Sequence, residues 1–421
     1  MLNDSIHYAN GSLHCDGISL AQIAERIGTP CYVYSLPRIL HQLQRLKAAF
    51  QAIPSEIHYS AKANANLDIL RALIQAGVGI DTVSGGEIWR ALQAGCPAAD
   101  IVFAGVGKTK AEIDYAIDEG VGWINIENQQ ECAWIQAAAA RAGRTQRVAL
   151  RLNPAERAAT HAAIATGHAE AKFGLSATSI RELMQRAERY PALDFCGLHV
   201  HIGSQLSEPS ATGRAIDAAG NLLAEYPQLA TLNIGGGFPV PYRQDSELST
   251  VEEWVASLQP YLLRLQLREA VKIEPGRFLV ADAGVLLTRA LYCKRQLGQT
   301  TLIVDASMSE LLRPALYGAH HEIVPLNEAG KASRETMQVV GPVCESTDVL
   351  LPQVALPPPQ AGDLLAILTV GAYGMVMASN YNARPRPAEV VVYQNGAESG
   401  WRLSRAREDW RSFYPGESQD P

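Results

Sequence analysis

No run of about 18 apolar residues occurs in the 421-residue chain, so no segment reads as a membrane-spanning helix. The N-terminus, MLNDSIHYANGS, has neither the basic start nor the apolar stretch of a signal peptide, and a cytoplasmic protein is the expectation. Cysteine is scarce. The seven present (Cys15, Cys31, Cys96, Cys132, Cys196, Cys293 and Cys344) are an odd number, widely spaced and without any C-x-x-C, which indicates neither a disulfide framework nor a zinc site. Blocks of five like charges are missing as well: 36 Lys and Arg stand against 43 Asp and Glu, interspersed, for a net charge of −7. Such a surface carries no electrostatic footprint for nucleic acid or anionic lipid. What is there is 47% apolar and 19% charged, enough to bury a core and to exclude disorder for most of the chain. A small-molecule enzyme or a scaffold remains.

From residue 56, short apolar or β-branched runs alternate with segments of helical period. The runs are EIHYSA (56–61), VGIDTVS (78–84), IVFAG (101–105), GWINIE (122–127), RVALRLN (147–153), FCGLHVHIG (195–203), ATLNIGG (230–236) and AVKIEPG (270–276). Between them, NLDILRALIQAG puts Leu67, Leu70, Leu73 and Ile74 on one stripe, and TKAEIDYAIDEG opens on a Thr109/Glu112 capping box. Four of these segments stop at a glycine (Gly77, Gly95, Gly120, Gly143), the residue that takes a left-handed cap without strain. Eight β/α units in roughly 220 residues predict a closed parallel (β/α)8 barrel. Beyond Arg277 the pattern changes to runs such as TLIVDAS, MQVVGPVCE, DLLAILTV and AEVVVY between Pro, Gly and Asn clusters, which predicts a mostly antiparallel β domain. TPCYVYS reads as an N-terminal strand that could join its sheet. The expected division is a barrel over residues 36–280 and a β domain from 1–35 and 281–421.

Barrel enzymes place their chemistry on the loops after the C-terminal strand ends. The polar residues there are Lys62, then Asp81 and Ser84, Asn153, His199, His201 and Ser204, then Gly235, Gly236 and Gly237, and finally Glu274 and Arg277. Three glycines let backbone N–H groups approach a phosphate, although such a run can also be only a tight turn. Arg277 would add a forked donor. A phosphate site, a strand-end lysine, a carboxylate and histidines meet the needs of pyridoxal 5′-phosphate: an amine for the aldehyde, a carboxylate for the ring nitrogen and a flat group for the ring face. His199 and His201, two apart on a strand, share a face, but H-x-H without a third ligand does not define a metal site. The pair His320-His321 reads as a polar helix end or an interface.

In order along the chain, HYSAKAN, DTVSGGE (81–87), RLNP (151–154), KFGL (172–175), GLHVHIGSQ (197–205), NIGGGF (233–238), EPGR (274–277), RPALYGA (313–319), CESTD (344–348) and GAYGMVMASNYNARPRPAEV (371–390) are present. This set resembles the diaminopimelate decarboxylase family, among the alanine-racemase-like, fold type III pyridoxal-phosphate enzymes, over about residues 25–393. The resemblance implies a barrel plus a C-terminal β domain that takes in the N-terminal strands, and a homodimer in which each site draws residues from both chains. It makes Lys62 the Schiff-base lysine and His201 the group stacked on the ring. Ser204, Gly235, Gly236, Gly237, Arg277 and Tyr373 would surround the phosphate, and Glu274 would pair with the pyridinium. Arg277, Arg313 and Tyr317 would hold the substrate's distal carboxylate and Glu345 its distal amine, and Tyr373 would also bind the substrate. Cys344, a small core residue on its bland reading, would be the proton donor, contributed by the partner chain. Thr347, Ser307 and Ser309 depart from the residues common in the family.

The activity so implied is decarboxylation of meso-2,6-diaminopimelate to L-lysine, the last step of lysine biosynthesis. Two other readings are a paralogue acting on another amino acid and a pyridoxal-phosphate-holding regulator without catalysis; Lys62, Cys344 and Glu345 weigh against the second. A racemase fits CESTD and RPALY less well.

Overall fold

The computed structural model describes residues 1–156, 166–167, 171–328, 333–396 and 398–411. The chain divides into two units, one of Met1–His41, Pro241–Ser246 and Leu279–Pro421, the other of Gln42–Val240 and Glu247–Phe278.

In the first unit, β1 (Ile6–Ala9), β2 (Ser12–Cys15) and β3 (Ile18–Ser19) form a small antiparallel sheet. Asn10 and Gly11 join β1 to β2 with φ of 52° and 77°, the pair of positive values that a two-residue hairpin turn demands. β4 (Cys31–Ser35), the TPCYVYS run, leaves this sheet for the large one described below.

The second unit is the barrel. Its strands are β5 (Ser55–Ser60), β6 (Gly79–Thr82), β7 (Ile101–Phe103), β8 (Trp123–Ile126), β9 (Gln146–Leu152), β10 (Leu193–Val200), β11 (Thr231–Asn233) and β12 (Val271–Ile273). All neighbours are parallel, and β12 closes the ring on β5 with Val271 opposite Ser55. All eight predicted strands are therefore found, and the (β/α)8 expectation holds. The helix Lys110–Glu119 starts on the Thr109/Glu112 capping box, and Gly77, Gly95, Gly120 and Gly143 take φ between 64° and 91° at helix ends. Inward-facing side chains fill the barrel in layers. Val102, Trp123, Ala149 and Cys196 form an apolar plug. Trp123 Nε1 donates to Asn125 Oδ1 at 2.7 Å, two residues along the same inward face, where the filling turns polar.

The first unit continues with β13 (Gly284–Gln296), β14 (Gln299–Val304), β15 (Ile323–Pro325), β16 (Glu335–Val340), β17 (Val349–Leu356), β18 (Leu364–Leu368), β19 (Ala388–Asn395) and β20 (Glu398–Arg405). The sheet path is β17-β16-β14-β13-β4-β19-β20, with β18 between β13 and β15. Most pairs are antiparallel; β4 with β19 and β14 with β16 are parallel. β4 lies between two strands about 250 and 355 residues away, so the N-terminal strand is integral to the sheet. Ile6, Leu13, Ile23, Val33, Val285, Leu287, Leu368 and Val390 share one core, which ties the small sheet to the large one. Among the described residues no helix is long and apolar enough to cross a membrane.

Candidate active site

Lys62 follows β5 directly, in the single turn Ala61–Ala63. Its Nζ lies 3.6 Å from Asp81 Oδ2, and its side chain keeps 37% exposure at the strand end, so it is not sealed in the core. Asp81, from β6, is buried and accepts from Ser60 Oγ at 2.7 Å. Burial and the Glu274 charge push the Asp81 carboxyl up to about 7, against the opposing pull of Lys62 and Ser60.

Glu274, one residue past β12, is buried and held by three strands. Asn233 Nδ2 donates to Oε1 at 2.6 Å, Asn125 Nδ2 to the same oxygen at 3.4 Å, and His199 Nε2 to Oε2 at 3.1 Å. Burial alone would raise this carboxyl, but the His199 bond and charge, with Lys62 beyond, hold it well below the usual carboxylate range. The surroundings of Glu274 thus favour the anionic form of a buried carboxylate.

The glycine loop after β11 is shaped by close approach. A Cβ on Gly235, where φ is 66°, would lie 2.5 Å from His201 Nδ1; one on Gly236 would lie 2.4 Å from the Glu274 carbonyl oxygen, and one on Gly237 would lie 2.8 Å from Leu206 Cδ1. Only glycine fits these positions without displacing a neighbouring side chain or, at Gly236, the backbone. Gly236 N–H donates to His201 Nδ1 at 3.3 Å, which seats the ring against the loop. Desolvation, then the Lys62 and Arg151 cations, push that imidazole well below its ordinary value. Arg277 Nη2 and Nε lie 3.1 and 3.4 Å from Ser204 Oγ, so two further predicted barrel residues also meet. The remaining strand-end candidates act locally: Ser84 caps the helix Gly85–Gln93, and Asn153 bonds the backbone of Ala155 and Phe173.

A buried ion chain escapes sequence reading. Lys108, whose side chain is fully covered, lies 3.2 Å from Glu131 and donates to the Gly105 carbonyl at 2.7 Å. Glu131 accepts from the Glu127 N–H at 2.8 Å, and Glu127 pairs with Arg151 at 2.6 Å. Arg151 in turn stacks over Phe173 at 4.7 Å. Lys108 and Glu131 carried no signal, since a lysine and a glutamate on barrel segments ordinarily face water.

Within the β unit, Arg313 and Tyr317 lie on one short helix, Arg313–Tyr317. Arg313 is buried, with Nη1 2.8 Å from His321 Nε2 and Cζ 4.6 Å from the Tyr242 ring centroid. His321 is fully buried, which corrects the expectation of a helix end or interface: its partners, not solvent, satisfy it. Cys344 is exposed, unlike Cys15, Cys31, Cys96, Cys132 and Cys196, so the bland core reading fails for this thiol alone among those six. Its N–H donates to Asn382 Oδ1 at 3.0 Å, and Tyr381 OH donates to Glu345 Oε2 at 3.2 Å. Asp348 fixes the CESTD turn by accepting from the Val343 and Met308 N–H groups at 2.8 and 2.6 Å. Ser307 and Ser309 are buried in the neighbouring turn, where Ser307 Oγ donates to Glu310 at 2.6 Å and accepts from Ser309 N–H at 3.0 Å. Tyr373 sits at φ 56° in the GAYG turn.

Among the described residues there is no cluster of three or more His, Cys, Asp and Glu able to hold a metal ion. The polar set in the barrel suits pyridoxal phosphate instead. Its buried, ionised carboxylate matches a protonated ring nitrogen, and the Gly235–Gly237 backbone is open where any Cβ would intrude.

Comparison with known proteins agrees. Residues 36–281 match the family "Pyridoxal-dependent decarboxylase, pyridoxal binding domain". The chain is 40% identical to the diaminopimelate decarboxylase of Pseudomonas fluorescens, over 99% of this chain and 100% of that protein. The crystal structure of diaminopimelate decarboxylase from M. jannaschii superposes with a TM-score of 0.93 at 33% identity, covering 100% and 99% of the two chains. That from Helicobacter pylori, complexed with L-lysine, gives 0.87 at 36% identity over 94% and 98%.

Proposed function

We infer, since this chain belongs to the diaminopimelate decarboxylase family, that it catalyses the pyridoxal-phosphate-dependent decarboxylation of meso-2,6-diaminopimelate to L-lysine and CO2, the last step of lysine biosynthesis. The observation that carries this reading is Glu274, a buried carboxylate kept ionised by three N–H donors in the barrel that presents Lys62 at its mouth. When bound, pyridoxal 5′-phosphate supplies a conjugated, protonatable ring that accepts the electron pair left behind as the carboxylate departs as CO2.

The residues divide the remaining work. Lys62 would offer its amine to the cofactor's aldehyde, with the Asp81 carboxyl 3.6 Å away to take or return a proton. Glu274 would hold the proton on the ring nitrogen by charge, and His201 would pack on the ring face. The backbone N–H groups of Gly235, Gly236 and Gly237, with Ser204, Arg277 and Tyr373, would bind the phosphate. We assign Arg277, Arg313 and Tyr317 to the substrate's distal carboxylate and Glu345 to its distal amine. Cys344 delivers the proton that replaces CO2 at Cα, acting from the partner chain of a homodimer. The β domain expected over residues 1–35 and 281–421 would contribute to substrate binding and to that dimer interface. Seven free thiols fit a reducing, cytoplasmic compartment.

The test is CO2 release by the purified protein from diaminopimelate, ornithine and arginine in parallel. Turnover confined to diaminopimelate is expected, because Arg313 and Glu345 suit a substrate with a second zwitterionic end. Preference for ornithine or arginine would replace this substrate with theirs, and CO2 release from none of the three would reduce the chain to a cofactor-holding protein.

A further inference from the structure

The histidine pair has no part in the reading above, and of the two His321 is the more informative. Both of its ring nitrogens are engaged in a buried site: Nδ1 lies 3.0 Å from the Leu368 carbonyl oxygen and Nε2 lies 2.8 Å from Arg313 Nη1. A carbonyl only accepts and a guanidinium only donates, so Nδ1 carries the hydrogen and Nε2 is a bare acceptor. The ring is therefore neutral by construction; a proton on Nε2 would point at the guanidinium. Tyr242 joins the clamp, with its ring 4.6 Å from Arg313 Cζ and edge-on to His321 at 5.4 Å and 85°. The anchor is stiff, because Leu368 ends β18, which is paired on both sides.

The chemistry of this clamp is selective. A carboxylate beside Arg313 would fix the side chain but cancel its charge. A neutral imidazole and a ring face hold it without bringing a negative charge of their own. We propose that His321 and Tyr242 are positioning residues that preorganise Arg313 for the carboxylate remote from the reacting carbon, and so set the preference for ligands that carry it. The inference rests on the assignment of Arg313 to the distal carboxylate.

Two ligands of nearly the same skeleton separate the possibilities. L-Lysine keeps that carboxylate and cadaverine lacks it. Inhibition constants for both are measured on the full-length holoenzyme and on His321→Leu, which cannot accept, and His321→Gln, whose amide can both accept and donate. The wild type is expected to bind L-lysine at least about tenfold more tightly than cadaverine, the scale of one hydrogen bond to a charged group. His321→Leu should weaken L-lysine by about tenfold or more and raise KM for diaminopimelate, with cadaverine binding and kcat changed by less than about threefold. His321→Gln should recover most of the discrimination. Undiminished discrimination in His321→Leu overturns the proposal, and so does equal loss of both ligands with a lowered melting temperature, which would mark a purely structural residue. A wild type that does not distinguish the two ligands instead removes the carboxylate assignment of Arg313, and the proposal falls with its premise.

Discussion

Replacing Asn233 by aspartate changes one NH2 into one oxygen, and the structure fixes what that exchange must do. Asn233 is fully buried; its Oδ1 accepts from the Gly235 N–H at 2.8 Å and its Nδ2 donates to Glu274 at 2.6 Å. Aspartate keeps the first bond, so the glycine loop retains its seat. The second contact becomes two carboxylates in one buried site. With charge centres at about 4 Å and an effective dielectric of about 20, their repulsion is about 4 kcal/mol, or roughly three pKa units. One proton is then shared by the pair, which titrates near pH 7 in the folded protein against about 4 in the unfolded chain. A carboxyl raised in this way carries no penalty below pH 4, where both states are protonated, and an increasing one as pH climbs towards 7. Relative to wild type, the variant should lose about 2 kcal/mol at pH 5.5 and about 4 kcal/mol at pH 8.5. For a barrel of this size the extra 2 kcal/mol is about 4–8 °C in melting temperature. Thermal melts of wild type and variant at the two pH values, on cofactor-free protein so that the ring nitrogen adds no charge, measure the difference. A wild-type-minus-variant gap that is the same at pH 5.5 and pH 8.5 would refute the view that Asn233 donates to an ionised Glu274.

Lys62→Ala should abolish the visible absorbance of the bound cofactor and nearly all turnover; an active variant would sink the pyridoxal assignment. Glu274→Gln should retain cofactor but slow CO2 release by about 10- to 100-fold, since an amide cannot hold the ring proton by charge. A change in KM alone would make Glu274 a substrate-binding residue. Mixing Lys62→Ala with Cys344→Ala subunits should restore about a quarter of the sites, because random exchange makes about half the dimers mixed and each mixed dimer has one intact site. Demonstrated exchange without recovered activity would place Cys344 in its own chain's site or outside the chemistry.

The elements of this protein are local decisions, and the sequence states them. The alternation of strand and helix periods, the Thr109 cap and the terminal glycines each depend on residues within a few positions, so eight strands could be placed before any contact was known. Lys62, Asp81, His201, the three glycines, Glu274 and Arg277 were legible for a related reason: a closed parallel barrel brings every C-terminal strand end to one rim, whatever the side chains. The partners inside that rim were decided by closure. Asn125 is 149 residues from Glu274 and Asn233 is 41, and an asparagine in an apolar strand signals a buried polar group without naming its acceptor. Lys108 with Glu131, and Tyr242 with Arg313 and His321, were equally silent, because a charged or polar side chain reads as solvated until tertiary packing removes the water. The place of β4 between β13 and β19 belongs to the same class, since strand pairing across hundreds of residues depends on which hydrophobic faces meet, and only the folded sheet settles that.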